Sequence, residues 1–183
     1  MICHDNKIIF IHIPCTAGSS VEYAFTEKNW FDVEPNTKHL TWREAKYFYS
    51  EYWDSYLKFS VVRNPFDWIT SLYYSDYGND RENRKVGKNF REWLIDPYFQ
   101  DWEQQGHFQS QSKIIGEELN HIIRYENLNE EFYKLFNKNL EWFHVWKTKV
   151  KIDKNYKDFY DVETIELATN IIQEDLERFD YEF

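Results

Sequence analysis

The chain has 183 residues, 42% of them hydrophobic and 20% aromatic, and its 32 acidic against 22 basic side chains give a net charge of −10. A length of this order fits a single domain over residues 1–183, whose one core buries roughly 70% of the unfolded surface. The acidic balance, with no clustered basic stripe, argues against nucleic acid and acidic membrane surfaces as partners. Cys3 and Cys15 are its two cysteines, too few for a disulfide framework or a metal-ligand cluster. With neither a signal peptide nor an apolar run of about 20 residues, the expectation is a soluble cytoplasmic protein with no membrane insertion.

From the amino end, the β-branched and aromatic run from Lys7 to Ile13 predicts a strand. It breaks at Pro14 into Cys15, Thr16, Ala17, Gly18, Ser19 and Ser20, which open a helix from Ser19 or Ser20 to near Thr26, with Val21 and Phe25 on one face. Gly18 lets the backbone come close to a ligand. Thr16, Ser19 and Ser20 offer hydroxyls beside the unpaired N–H groups and positive dipole end of that helix, an arrangement that binds an anion. The spacing is not the Walker A pattern. Thr41 and Glu44 form a capping box that starts a helix at Trp42 and runs to about Tyr49, leaving His39 on a loop just outside it. Glu22 and Glu44 are acids of these first two helices, and Glu44 is accounted for by capping.

A second strand covers Leu57 to Val62, followed by Asn64 as N-cap, Pro65 at the first helical position and a helix through Tyr74. The polar stretch from Asp76 to Lys88 reads as a loop that covers an acceptor, and Asn89 to Ile95 as a short helix. His121 to Tyr125 is the next strand, and Asn129 is expected to cap a helix with Phe132, Leu135 and Phe136 on one face. A basic, aromatic segment follows, with Lys147, Lys149, Lys151, Lys154 and Lys157. Asp161 then caps a final helix with Val162, Ile165, Ile172, Leu176 and Phe179 as its buried stripe. Strands alternating with helices predict an α/β fold, a parallel β-sheet flanked by helices on both faces, with ligands bound beyond the carboxyl ends of the strands. The abundant rings belong mainly to a packed core and its rims, and some are candidates to line a sugar or adenine cleft.

Two segments carry a family resemblance. Ile11-His12-Ile13-Pro14-Cys15-Thr16-Ala17-Gly18-Ser19-Ser20 resembles the P-K-T-A-G-[ST]-[ST] loop of sulfotransferases, and Arg63-Asn64-Pro65-Phe66-Asp67-Trp68-Ile69-Thr70-Ser71-Leu72-Tyr73 resembles their R-N-P-x-x-R-x-x-S-x-Y signature. Weaker similarity at Lys38-His39-Leu40-Thr41, at Arg124 to Leu128 and in the last thirty or so residues extends the match over most of the chain. The chain looks like a carbohydrate-type sulfotransferase. That resemblance implies a P-loop NTPase-like sulfotransferase fold, 3′-phosphoadenosine 5′-phosphosulfate (PAPS) as co-substrate, PAP as product, no metal, and a hydroxyl-bearing acceptor, carbohydrate above all. It leaves the oligomeric state open.

Sulfuryl transfer relies on positioning and electrostatics, because charge spreads over peripheral oxygens while nucleophile and leaving group lie in line. The resemblance gives the 5′-phosphosulfate to the loop of Pro14, Thr16, Ala17, Gly18, Ser19 and Ser20. It gives the 3′-phosphate to Arg63, whose planar fork suits an anion, and to Ser71. His39 is the candidate general base, since a neutral imidazole takes a proton from a hydroxyl near pH 7; His4, His12, His107, His121 and His144 read as structural. Two positions depart from the family pattern: Trp68 stands where an arginine is usual, and Cys15 replaces the loop lysine whose ammonium steadies the bridging oxygen. For the second, three explanations stay open. Lys113 or a lysine of the Lys147 to Lys157 segment reaches in; the chain is a catalytically impaired PAP- or PAPS-binding protein; or the change was engineered. A cysteine phosphatase is excluded because C-x-x-x-x-x-R would need an arginine at Val21, and a nucleotide kinase is disfavoured by the absent Walker lysine. Gln109, Ser110, Gln111 and Ser112 lie where relatives have polar residues near the cleft, or on a helix surface.

Overall fold

The computed structural model describes residues 1–74, 89–95, 110–141 and 155–183. The expected loop from Asp76 to Lys88, together with Gln109, His107, His144, Lys147, Lys149, Lys151 and Lys154, lies outside the described residues. The chain divides into two units, one of residues 1–63 and 113–147, the other of residues 64–112 and 148–183. Among the described residues no helix is long and apolar enough to cross a membrane.

The first unit is built on a four-stranded sheet in the order β1 (Ile2–Cys3), β2 (Ile8–Ile11), β3 (Leu57–Val62), β4 (His121–Arg124). β2, β3 and β4 are parallel, as the alternation of strands and helices predicts, and the short β1 adds an antiparallel edge. The register sets Ile11 beside Ser60 and Val62 beside Arg124, so the carboxyl ends of the three parallel strands lie side by side. All four residues of β2 are buried, and so are the last five of β3, which means both faces of these strands are covered. Such two-sided burial is what a continuous apolar run encodes in a parallel sheet.

On one face Phe10, Phe59 and Ile123 join Val21 of α1 (Gly18–Thr26), Trp30 of α2 (Trp30–Val33) and Phe132 in a single apolar cluster. Phe10, Phe59 and Phe132 are fully buried, and burial of each contributes about 1.5–3 kcal/mol. α3 (Trp42–Phe48) starts with the expected capping box, the Thr41 side chain accepting from Glu44 N–H and Glu44 reaching back to Thr41 N–H at 2.7 Å. α4 (Ser50–Trp53) follows directly.

The second unit holds α5 (Pro65–Tyr74), α6 (Phe90–Leu94) and the long carboxyl-terminal helix, while the short α7 (Gln111–Ile115) straddles the boundary in sequence. Asn64 caps α5 through Phe66 N–H at 3.0 Å, and Asn89 with Glu92 closes a capping box on α6. Tyr160 packs edge-on against Phe66 at 5.5 Å and donates its hydroxyl to the Phe66 carbonyl at 2.8 Å.

The start of one helix and the buried stripe of another differ from expectation. α8 runs Leu128–Phe136 in the first unit, so Asn129 lies inside its first turn and Asn127 holds the cap position with no side-chain bond. The reason is that Tyr125–Asn127 continues from β4 as a turn of 3₁₀-helix, which carries the chain into the helix without a side-chain cap. α9 (Val162–Phe179) is capped by Asp161 as expected, but Val162 is 84% exposed. Its buried stripe runs through Thr164, Ala168, Ile172, Asp175 and Phe179, a polar residue at each of two inward positions where apolar spacing alone cannot see it.

Candidate functional site

β2 ends at Ile11, and His12, Ile13 and Pro14 carry the chain into a loop closed by its own side chain: the Thr16 hydroxyl donates to the Ile13 carbonyl at 2.8 Å, with Thr16 fully buried. This hydroxyl is therefore a brace of the loop, which corrects its reading as a donor to an anion. Cys15 and Ala17 take φ of 63° and 62° in the left-handed region, a conformation that costs a non-glycine residue of order 1 kcal/mol and that recurs in backbone nests able to take up an anion. Backbone bonding into α1 starts only with Ser20 and Val21, whose N–H groups both reach the Ala17 carbonyl. No acceptor among the described residues takes the N–H groups of Thr16, Ala17, Gly18 or Ser19.

Gly18 is required here by close packing. A Cβ at this position would lie 2.1–2.6 Å from three ring atoms of His12, so α1 begins against the face of a buried imidazole. His12 Nδ1 is 2.7 Å from Glu22 Oε1, and the other oxygen of Glu22 pairs with Lys38 Nζ, with Glu22 and Lys38 0% and 2% exposed. Burial by itself raises a carboxyl pKa, but the opposing attractions of His12 and Lys38 outweigh it and hold Glu22 at about 2. Burial lowers the pKa of both His12 and Lys38, against the pull of Glu22. His12 Nδ1 thus donates to an ionised carboxylate. Expected to be an ordinary structural histidine, His12 is structural in a specific sense: its ring seats the helix that opens the loop.

His39 sits on this same network. Its Nδ1 is 3.1 Å from the His12 carbonyl; a carbonyl only accepts, so Nδ1 carries the proton and the neutral ring keeps its lone pair on Nε2. Burial first, then the neighbouring His12, lowers the His39 pKa well below 6.5, which keeps the ring neutral at pH 7. The two imidazoles are 4.5 Å apart, and Phe31 meets His39 edge-on at 6.0 Å.

Arg63 follows the carboxyl end of β3. Its Nη1 donates to the Cys15 carbonyl at 3.1 Å, and its guanidinium lies 4.3 Å from the Tyr125 ring centre. Neighbouring parallel strands explain the contact: β3 delivers Arg63 to the same edge where β2 delivers Cys15. A cation stacked on a ring while bonded to a carbonyl is held in one orientation, which suits bidentate anion recognition. The structure thus brings together the first loop, Arg63 and His39 within the first unit. Ser71 belongs to the second unit, half-buried on α5.

Gln111 and Ser112, expected near a cleft or on a helix surface, are buried, and their N–H groups are taken by the two oxygens of Asp175 at 2.8 and 2.7 Å. Lys113 is exposed on α7. Sequence reasoning missed Lys38, the buried cation whose ammonium reaches the loop at Ser19 Oγ, 3.3 Å away. The signal was Glu22, which falls beside Val21 and three residues before Phe25 on the inward face of α1, because a charge on an apolar face implies a buried partner.

A comparison with known families matches residues 1–182 to the one described as "Sulfotransferase family". Among solved structures, the crystal structure of mouse sulfotransferase SULT7A1 complexed with PAP aligns with a TM-score of 0.36 and 14% identity, over 96% of this chain and 67% of that one. A comparison with curated proteins gives no match.

Proposed function

This chain belongs to the sulfotransferase family, and from that premise we propose that it transfers a sulfuryl group from PAPS to a hydroxyl acceptor of carbohydrate type. The observation that carries this reading is the open nest of N–H groups at Thr16 to Ser19 beside the tethered guanidinium of Arg63, two anion-binding elements at adjacent strand ends. In this reading the nest and the Ser19 hydroxyl hold the 5′-phosphosulfate, and Arg63 pairs with the 3′-phosphate. His39 Nε2 takes the proton of the acceptor hydroxyl as its oxygen attacks sulfur; the bond from sulfur to the bridging phosphate oxygen breaks, and PAP leaves. A base is useful only where its lone pair faces the reaction, and the Nδ1 bond to the His12 carbonyl leaves that lone pair on Nε2. No step requires a metal.

Titration with PAP and with AMP tests the donor assignment. PAP is expected to bind at least tenfold more tightly than AMP, and Arg63→Ala to erase that difference, since a charge-assisted pair with a phosphate is worth about 1.5–3 kcal/mol. Equal affinity for the two nucleotides would remove the 3′-phosphate from the reading.

Cys15 supports a second reading, a protein that binds PAP or PAPS and transfers poorly. Loss of one donor to developing charge commonly costs about 10²- to 10³-fold in rate. Cys15→Lys is then expected to raise turnover by a factor of that order, measured as labelled sulfate transferred to a panel of sugars. Equal or lower turnover by the variant would show that the missing ammonium does not limit the chemistry.

A further inference from the structure

The ammonium of Lys38 has three protons and three acceptors: Glu22 Oε2, Ser19 Oγ at 3.3 Å and Asn29 Oδ1 at 3.3 Å. It also lies 4.6 Å from the centre of the Phe31 ring. These partners come from α1, the loop before α2 and the ring of α2, so the ammonium is fixed from several sides. An ammonium only donates, which forces Ser19 Oγ to accept and leaves the single Ser19 hydroxyl proton for another acceptor. Among the described residues that proton has none, and Ser19 is half-buried on the first turn of α1, next to N–H groups in the same condition. The other loop hydroxyl with an assigned bond, Thr16, is spent on Ile13. A hydroxyl whose oxygen accepts from a cation is a stronger donor than a free one, because hydrogen bonds in series polarise one another.

We infer that Lys38 is a positioning residue of the anion site: it holds Ser19 Oγ as an acceptor and thereby turns the Ser19 proton, with part of its own charge, onto the 5′-phosphate of the donor. The inference rests on the donor reading above. It accounts for positive charge at a loop where Cys15 occupies the family lysine position, and it places that charge beneath the loop, with Glu22 as its counter-ion. The lysine immediately before His39 thus serves the donor end while His39 serves the acceptor end.

The test is PAP binding by the full chain, read by calorimetry and by ³¹P resonances of bound PAP, for Lys38→Met, Ser19→Ala and the double variant. Each single change is expected to weaken PAP about tenfold, the double no more than either alone, with only the 5′-phosphate resonance displaced. A merely structural lysine would move both phosphate resonances, and independent contributions would multiply to about a hundredfold; either result overturns the inference. Lys38→Met leaves Glu22 without its cation, so Lys38→Met combined with Glu22→Gln carries the same measurement with the charged pair removed together. Ser19→Ala also decides alone, since unchanged affinity in that variant refutes the relay. Wild-type protein that binds no PAP would sink the donor reading and the inference with it. Wild-type binding retained undiminished by the variants would sink the inference only.

Discussion

Glu22 and Asp175 are both 0% exposed carboxylates on helices, one in each unit, and their surroundings push them in opposite directions. Glu22 faces His12 and Lys38, and those partners hold its pKa at about 2 in spite of burial. Asp175 accepts the N–H groups of Gln111 and Ser112, and burial outweighs those dipoles, so its pKa is raised. A hydrogen-bonded imidazole together with an ammonium overcomes desolvation at Glu22, where peptide dipoles do not at Asp175. The difference also separates tasks. Asp175 ties the start of α7 to α9 by accepting backbone N–H groups, whereas Glu22 pairs with His12 and Lys38, the side chains that meet Gly18, Ser19 and His39.

The largest expected effect is that of Glu22→Ala, which strands Lys38 as a buried cation and should cost about 3–5 kcal/mol in urea unfolding. The same variant should also lose PAP binding. A cost near zero would mean that the pair is not buried in solution. Asp175→Ala should cost less, about 1–3 kcal/mol for two backbone donors left without an acceptor, with PAP affinity kept. The smallest and most discriminating effect is the pH dependence of these two costs. Glu22 has a folded pKa below its ordinary 4.5, so its contribution is fully present above 4.5 and is lost as pH falls towards 2. The cost of Glu22→Ala should therefore shrink on acidification. Asp175 has a folded pKa above its ordinary 3.8, so the folded state binds the proton more tightly and the contribution grows as pH falls. The cost of Asp175→Ala should therefore be larger at pH 3 than at pH 7. Unfolding curves at both pH values check the pair, and costs that change in the same direction would break the contrast.

Features set by local chemistry were readable in the residues. The strand Leu57–Val62, the helix Pro65–Tyr74 and the caps at Thr41 and Asp161 each depend on neighbours within four positions, and the structure has them where the pattern puts them. β1 was not readable, because a two-residue strand carries no periodicity and exists only by pairing with β2. Asn129 failed as a cap because the chain enters α8 from a 3₁₀ turn, a matter of how β4 ends. In the candidate site, the loop residues, Arg63 and His39 were given roles from their motifs, while Lys38 and Tyr125, although inside the weaker similar segments, were given none. Their partners, Glu22 and Arg63, are sixteen and sixty-two positions away, and no local rule spans such a separation.

By itself, the order of residues determined the three parallel strands, the longer helices and most of their caps, and it marked the loop from Pro14 to Ser20 as a candidate for an anion, since propensity, capping and hydroxyl placement act over a few bonds. Only the tertiary structure decided that the Thr16 hydroxyl is internal, that Gly18 makes room for an imidazole, and that the cation below Ser19 is Lys38. Those outcomes follow from parallel strands setting distant residues side by side and from burial demanding a partner for every charge, and both conditions arise only when the chain has folded.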